Sequence, residues 1–128
     1  MPVEIILYDS DRNKTELTNT SMFHLTNSLP NIVAEELSLP DALGEEVYPE
    51  EVRVRVFGSS SYDIVRHVLE ITIYAEHNFS REESLESIKM NIIERISVFV
   101  PKEVNADLWI VLVPNSSYGI FQGTGRYS

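Results

Sequence analysis

The sequence predicts an α/β (α+β) domain in which two β-α-β units form one four-stranded sheet with two helices on one face. Apolar residues alternate in three segments, form a nearly continuous run in a fourth, and recur every three or four residues in two others. These segments follow one another as strand, helix, strand, and then repeat that order. Because crossovers between parallel strands are right-handed, both helices are expected on the same side of the sheet. We expect a single domain over residues 1–128, with units at 2–57 and 64–113 and a turn-rich tail at 114–128.

The first unit begins with a strand. Residues 2–8 place Val3, Ile5 and Leu7 at alternate positions, with Ile6 between them, before a group of turn-favouring residues. Residues 17–37 have helical spacing, and Pro30 within them predicts a kink or a helix that begins near Ser28. Residues 52–57 then alternate valine with arginine or phenylalanine, which predicts a strand with valines on one face and guanidinium groups on the other.

The second unit repeats this order, with different residues at the ends of its helix. Residues 64–75 predict a longer strand with both faces half buried. Ser80 and Glu83 have the spacing of a capping box, which predicts the start of the second helix, and Pro101 follows its end. Residues 106–113 have almost no polar interruption, which is typical of a strand buried on both faces in a parallel sheet.

Composition narrows the classes of partner. The chain has 128 residues, 43% of them hydrophobic and 23% charged, which is ordinary for a globular protein. Its formal net charge of -10 repels nucleic acid and anionic membrane surfaces, so we expect neither as a partner. With no cysteine it has no disulfide or thiolate chemistry. The three histidines lack metal-ligand spacing. We therefore expect a cytoplasmic protein without a metal.

The sheet face opposite the helices predicts self-association. Valine, isoleucine, leucine and tyrosine fall on that face. If it were solvated, it would expose a large apolar patch. We therefore expect it to pack on copies of the same chain.

The N-terminus carries the candidate chemistry, since the familiar nucleophile and phosphate-binding motifs are missing. Removal of Met1 would leave Pro2 with a free secondary amine at the start of the first strand. An α-amino group titrates near 8, and both desolvation and nearby positive charge disfavour its ammonium form. Such an amine can act as a general base at neutral pH, and neighbouring arginines can hold a carboxylate substrate.

These features resemble the tautomerase superfamily, which includes 4-oxalocrotonate tautomerase, 5-carboxymethyl-2-hydroxymuconate isomerase and macrophage migration inhibitory factor. Met1-Pro2 opens directly into a strand, and the strand-helix-strand order is doubled over residues 2–113. Several local stretches look most like the isomerase branch, namely residues 29–30 and 52–56, the long strand ending at residues 72–73, and residues 81–87.

The resemblance implies a homotrimer that moves a proton on a small anionic enol or keto acid without a cofactor. It implies that Pro2 is the catalytic base. By position it also implies substrate-binding roles for a further set of side chains: Arg12 after the first strand, Arg53 or Arg55 on the second, Arg81 before the second helix, and Tyr118 and Phe121 in the tail.

Three alternatives remain open from the residues alone. Arg53 and Arg55 suit a polar sheet face as well as they suit a ligand. The acidic connection over residues 39–51 and the tail are compatible with a non-catalytic oligomeric binding module of the same fold. The element order also fits a ferredoxin-like dimer.

Overall fold

A computed structural model of the protein describes residues 3–9, 19–38, 46–58, 69–102 and 104–114. Within these ranges the chain forms four strands and three helices, joined in places by short 3₁₀ turns at Pro49–Glu51 and Ser97–Phe99. In chain order the elements are β1 (Val3–Asp9), α1 (Asn19–Leu37), β2 (Val52–Gly58), β3 (Leu69–Glu76), α2 (Phe79–Glu83), α3 (Leu85–Ile96) and β4 (Ala106–Val113).

The strands form one sheet in the order β2-β1-β3-β4. β1 is parallel to β2, β3 is parallel to β4, and the antiparallel pairing of β1 with β3 joins the two units. The predicted α+β class with two β-α-β units is therefore confirmed. Since β1 and β2 lie side by side, the split β-α-β arrangement of a ferredoxin-like domain is excluded.

The core lies between the sheet and the helices. Every second residue of β1 and β3 points toward the helices, as the two-residue period of a strand requires. The helices meet the sheet with residues three or four apart. The fully or almost fully buried side chains of this layer include Val3, Ile5, Leu7, Ile71 and Ile73 from the sheet, and Leu25, Leu29, Leu37, Ile88 and Ile92 from the helices.

α1 runs unbroken through Pro30, so the predicted start near Ser28 is wrong. Proline removes one backbone donor and crowds the preceding turn. Leu29 and Val33, on either side of it, are fully buried, and this packing outweighs the local cost. Helix propensity, which is a local property of the sequence, does not include the stabilisation from that burial.

The second helix begins earlier than predicted. Asn78 is its N-cap, because its side-chain oxygen accepts from the Arg81 backbone N–H at 2.7 Å. The predicted cap at Ser80 is therefore wrong. Ser84 ends α2 and starts α3, so the helix is divided into two parts. Asparagine and serine are about equally good caps, and the end of β3 at Glu76 selects the earlier one.

The prediction that β4 is buried on both faces is wrong for the single chain. Among the described strands β4 pairs only with β3 and lies at the sheet edge. Trp109 is 59% exposed and Val111 is 39% exposed. β3 likewise has one buried face, whereas Tyr74 on the other is exposed. Residues 64–68 of its predicted span lie outside the described residues.

Ion pairs also connect α1 with α3. Arg95 of α3 reaches Glu35 at 3.0 Å and Glu36 at 3.1 Å on α1. These partners, led by the hydrogen bond to Glu36, raise the pKa of Arg95. None of the helices described above is both long enough and apolar enough to cross a bilayer.

Candidate functional site on the open sheet face

The sheet face without helices, called the open face below, collects most of the polar and aromatic side chains of the strands. Strand register arranges them in three rows across the order β2-β1-β3-β4. The first row is Arg53, Glu4, Tyr74 and Val111; the second is Arg55, Ile6, Thr72 and Trp109; the third is Phe57, Tyr8, Glu70 and Asp107.

Two predicted binding residues, Arg53 and Arg55, lie together on the β2 side of this face. Both are exposed. Arg55 is paired, with its Nε 3.2 Å from Oε1 of Glu4. No carboxylate of the described residues lies within ion-pair distance of Arg53. Arg53 can therefore accept an external anion at once, whereas Arg55 must first exchange its protein partner.

Aromatic side chains surround these charges. The rings of Tyr8 and Phe57 stack with centroids 5.6 Å apart. On the far edge, the indole Nε1 of Trp109 donates to Asp107 at 2.8 Å. The open face is therefore amphipathic, with guanidinium groups toward β2 and a large apolar side chain toward β4.

The first row lies at the sheet end where β1 starts. Val3 pairs with Val52 in the parallel ladder, so Arg53 is one residue further along the neighbouring strand. Pro2 is bonded directly to Val3 and lies outside the described residues. The other predicted residues Arg12, Tyr118 and Phe121 also lie outside them.

Arg81 lies elsewhere and is fully buried. Its Nε donates to the Leu37 carbonyl at 3.3 Å, and its Nη1 donates to the Glu76 carbonyl at 2.8 Å. Arg81 thus connects the end of α1 with the end of β3, where helix carbonyls lack intrahelical donors. The structure does not bring it together with the arginines of the open face, and its substrate role stays a prediction.

Two features of this end of the sheet were not predicted. Glu4 forms an ion pair with Arg55. This pair follows from the parallel register of residues 3–5 with residues 52–54, so it could be predicted only if the pairing of β1 with β2 were known. Tyr48, before β2, donates its hydroxyl to Glu46 at 3.2 Å. The Tyr48 pKa is raised first by this hydrogen bond, and then by the charges of Glu46 and Glu50 and by partial burial.

Solved structures share this arrangement of strands and helices. A macrophage migration inhibitory factor-like protein from Entamoeba histolytica is 12% identical, with 94% of this chain and 96% of that chain covered and a TM-score of 0.58. A 5-carboxymethyl-2-hydroxymuconate delta-isomerase is 11% identical, with 95% and 89% covered and a TM-score of 0.59. A fused 4-OT described as a wild-type asymmetric trimer is 12% identical, with 91% of each chain covered and a TM-score of 0.52.

No family model and no curated protein sequence matches the chain. At identities this low, the structural likeness establishes the fold and leaves activity, substrate and assembly to be argued from the chain's own residues. The predicted resemblance is confirmed at that level.

Proposed function

Because the chain has the fold of the tautomerase superfamily, we propose that it is a cofactor-independent keto-enol tautomerase or isomerase of a small carboxylate substrate. The observation that carries the proposal is Arg53, an exposed guanidinium without a described carboxylate partner, one strand away from the start of β1. The proposed partner is a small anionic enol or keto acid, in the cytoplasm, rather than nucleic acid or a membrane.

The alternation of β1 supports Pro2 as the base. Glu4, Ile6 and Tyr8 belong to the open face. The proposal requires that Pro2 continue this two-residue period onto the same face. Adjacent strands are about 4.8 Å apart, so residues that neighbour each other across β1 and β2 can share a ligand. A positive guanidinium there disfavours the ammonium form of the Pro2 amine.

The proposed reaction moves one proton and needs no redox partner. The neutral imino nitrogen of Pro2 takes the proton from the enol oxygen, and the ammonium so formed returns it to carbon, giving the keto acid. In this proposal Arg53 binds the substrate carboxylate with paired hydrogen bonds. Arg55, after its ion pair with Glu4 has opened, stabilises the charge on the substrate oxygen. Arg12, Tyr118 and Phe121 remain proposed pocket residues, on the resemblance alone.

The proposed assembly is a homotrimer formed through the β4 side of the open face. Trp109 and Val111 supply exposed apolar area there. The charged β2 side would then border the interface rather than fill it. One of the structurally similar proteins is described as a trimer, which supports this state.

The enzyme proposal is tested by ketonisation of enolised phenylpyruvate or 2-hydroxymuconate, together with the intact mass of the purified protein. The expected mass lacks Met1, and Pro2→Ala lowers the rate by about a hundredfold or more. As a matched control, a leucine inserted between Met1 and Pro2 retains the proline but places its nitrogen in a peptide bond; it should be equally inactive.

Equal rates for the wild-type protein and Pro2→Ala would contradict the proposal. So would full activity in protein that retains Met1, because its proline nitrogen is an amide. If neither the wild-type protein nor Pro2→Ala accelerates ketonisation, the fold still supports the alternative function, a non-catalytic oligomeric binding module.

A further inference from the structure

A cavity of about 620 Å³ lies on the helix side of the sheet, at the end opposite Val3. It is bounded by α3, by residues 97–102 and 104–105, and by the start of β4. Its apolar wall is formed by Ile71, Ile93, Ile96, Val100, Val104 and Leu108. The volume is within the usual range for pockets that bind small organic molecules.

The charged side chains that line this cavity are two lysines and one aspartate. The whole chain has three lysines, and two of them, Lys89 and Lys102, line it. In a protein with a formal net charge of -10, this placement is opposite to the general charge balance. An apolar cavity bordered by two ammonium groups is complementary to a molecule with an apolar body and an anionic end.

Two carboxylates of the described residues near the cavity bear on this assignment. Glu86 Oε1 lies 2.9 Å from the Lys89 Nζ, but the Glu86 side chain is 81% exposed. An exposed pair of this kind is weak, so a ligand carboxylate can replace it. Asp107 also borders the cavity. Its carboxylate accepts from the indole of Trp109, a residue of the open face, which directs that charge to the other side of the sheet.

The geometry points to a binding site for an amphipathic carboxylate, an alkanoate or aryl alkanoate of about eight to twelve carbons, whose apolar part fills the cavity. The carboxylate lies between Lys89 and Lys102. Each methylene removed from water should tighten binding by about fourfold, so chain length sets the affinity. The site is independent of the proposed catalytic function, because it is on the other face and at the other end of the sheet.

The test is calorimetric titration of the full-length protein with decanoate, and with decan-1-ol as the uncharged probe of equal length. We expect one decanoate per chain and weaker binding of decan-1-ol. The double variant Lys89→Gln, Lys102→Gln should weaken decanoate binding by about fivefold or more, since two charge contacts are lost. The matched variant Lys89→Arg, Lys102→Arg keeps both charges and should stay within about twofold of the wild-type affinity.

Two single variants sharpen the test in opposite directions. Glu86→Gln removes the competitor for Lys89 and should tighten decanoate binding by about twofold. Ala106→Phe adds bulk to an exposed lining residue and should weaken both probes alike. Absence of decanoate binding at millimolar concentration would overturn the inference. Binding that is unchanged in both Ala106→Phe and the double glutamine variant would also overturn it, because the ligand would then lie elsewhere.

Discussion

The two faces of the sheet are formed by alternate residues of the same strands, and they differ in burial and in residue type. Ile73 of β3 is fully buried beneath the helices, while the adjacent Tyr74 is exposed on the open face. The helix face is built from valine, isoleucine and leucine, whose requirement is volume and close packing. The open face combines arginine, glutamate, tyrosine and tryptophan, which packing alone does not require. This difference indicates that the stability of the fold resides mainly on the helix side of the sheet.

The largest expected effect is on the helix face. Ile73→Ala removes a fully buried side chain and should lower the free energy of unfolding by about 2–5 kcal/mol. Thr72→Ala, on the open face of the same strand, is the matched control and should change it by about 0.5 kcal/mol or less. Urea unfolding at one protein concentration measures both. Similar losses in the two variants would remove the distinction between the faces.

The next effect is on association through the open face. Trp109→Glu places a charge at the proposed interface and should weaken self-association by about thirtyfold or more, the loss typical of a tryptophan anchor. Met90→Glu, at an exposed apolar residue of α3, is the control and should leave association unchanged. Sedimentation velocity over a concentration series measures this. A Trp109→Glu protein that associates like the wild type would contradict the proposed interface.

A smaller effect is expected from Arg81, and it separates the structural role from the predicted substrate role. Arg81→Met keeps the side-chain volume but removes the donors to the carbonyls of Leu37 and Glu76. The free energy of unfolding should fall by about 1–3 kcal/mol. KM, measured below the unfolding transition, should be unchanged. A raised KM with unchanged stability would instead favour the substrate role.

Periodicity in the sequence predicted the elements well, because each strand and helix carries its own apolar spacing. The two-residue alternation around Arg53 and Arg55 placed both guanidinium groups on one face, which the structure confirms. The order of the elements along the chain also predicted the two units. These features are local, so a single sequence contains them.

Features that depend on distant residues were missed. The apolar run of β4 does not reveal that its strand lies at an edge, because an exposed apolar strand face has the same composition as a buried one. The pairing of Arg55 with Glu4 depends on strand register. The burial of Arg81 was not predicted either, because its two carbonyl partners, on Leu37 and Glu76, belong to other elements.

The pH dependence of kcat/KM tests the central claim most directly, since its ascending limb reports the pKa of the essential base in the free enzyme. If Pro2 and Arg53 share the open face, Arg53→Ala removes a positive charge beside the amine. The ammonium form is then favoured, its pKa rises, and the limb should move to higher pH while KM increases about tenfold. Arg95→Ala, on the helix side, should leave the limb in place. A limb that does not move in Arg53→Ala would contradict the account.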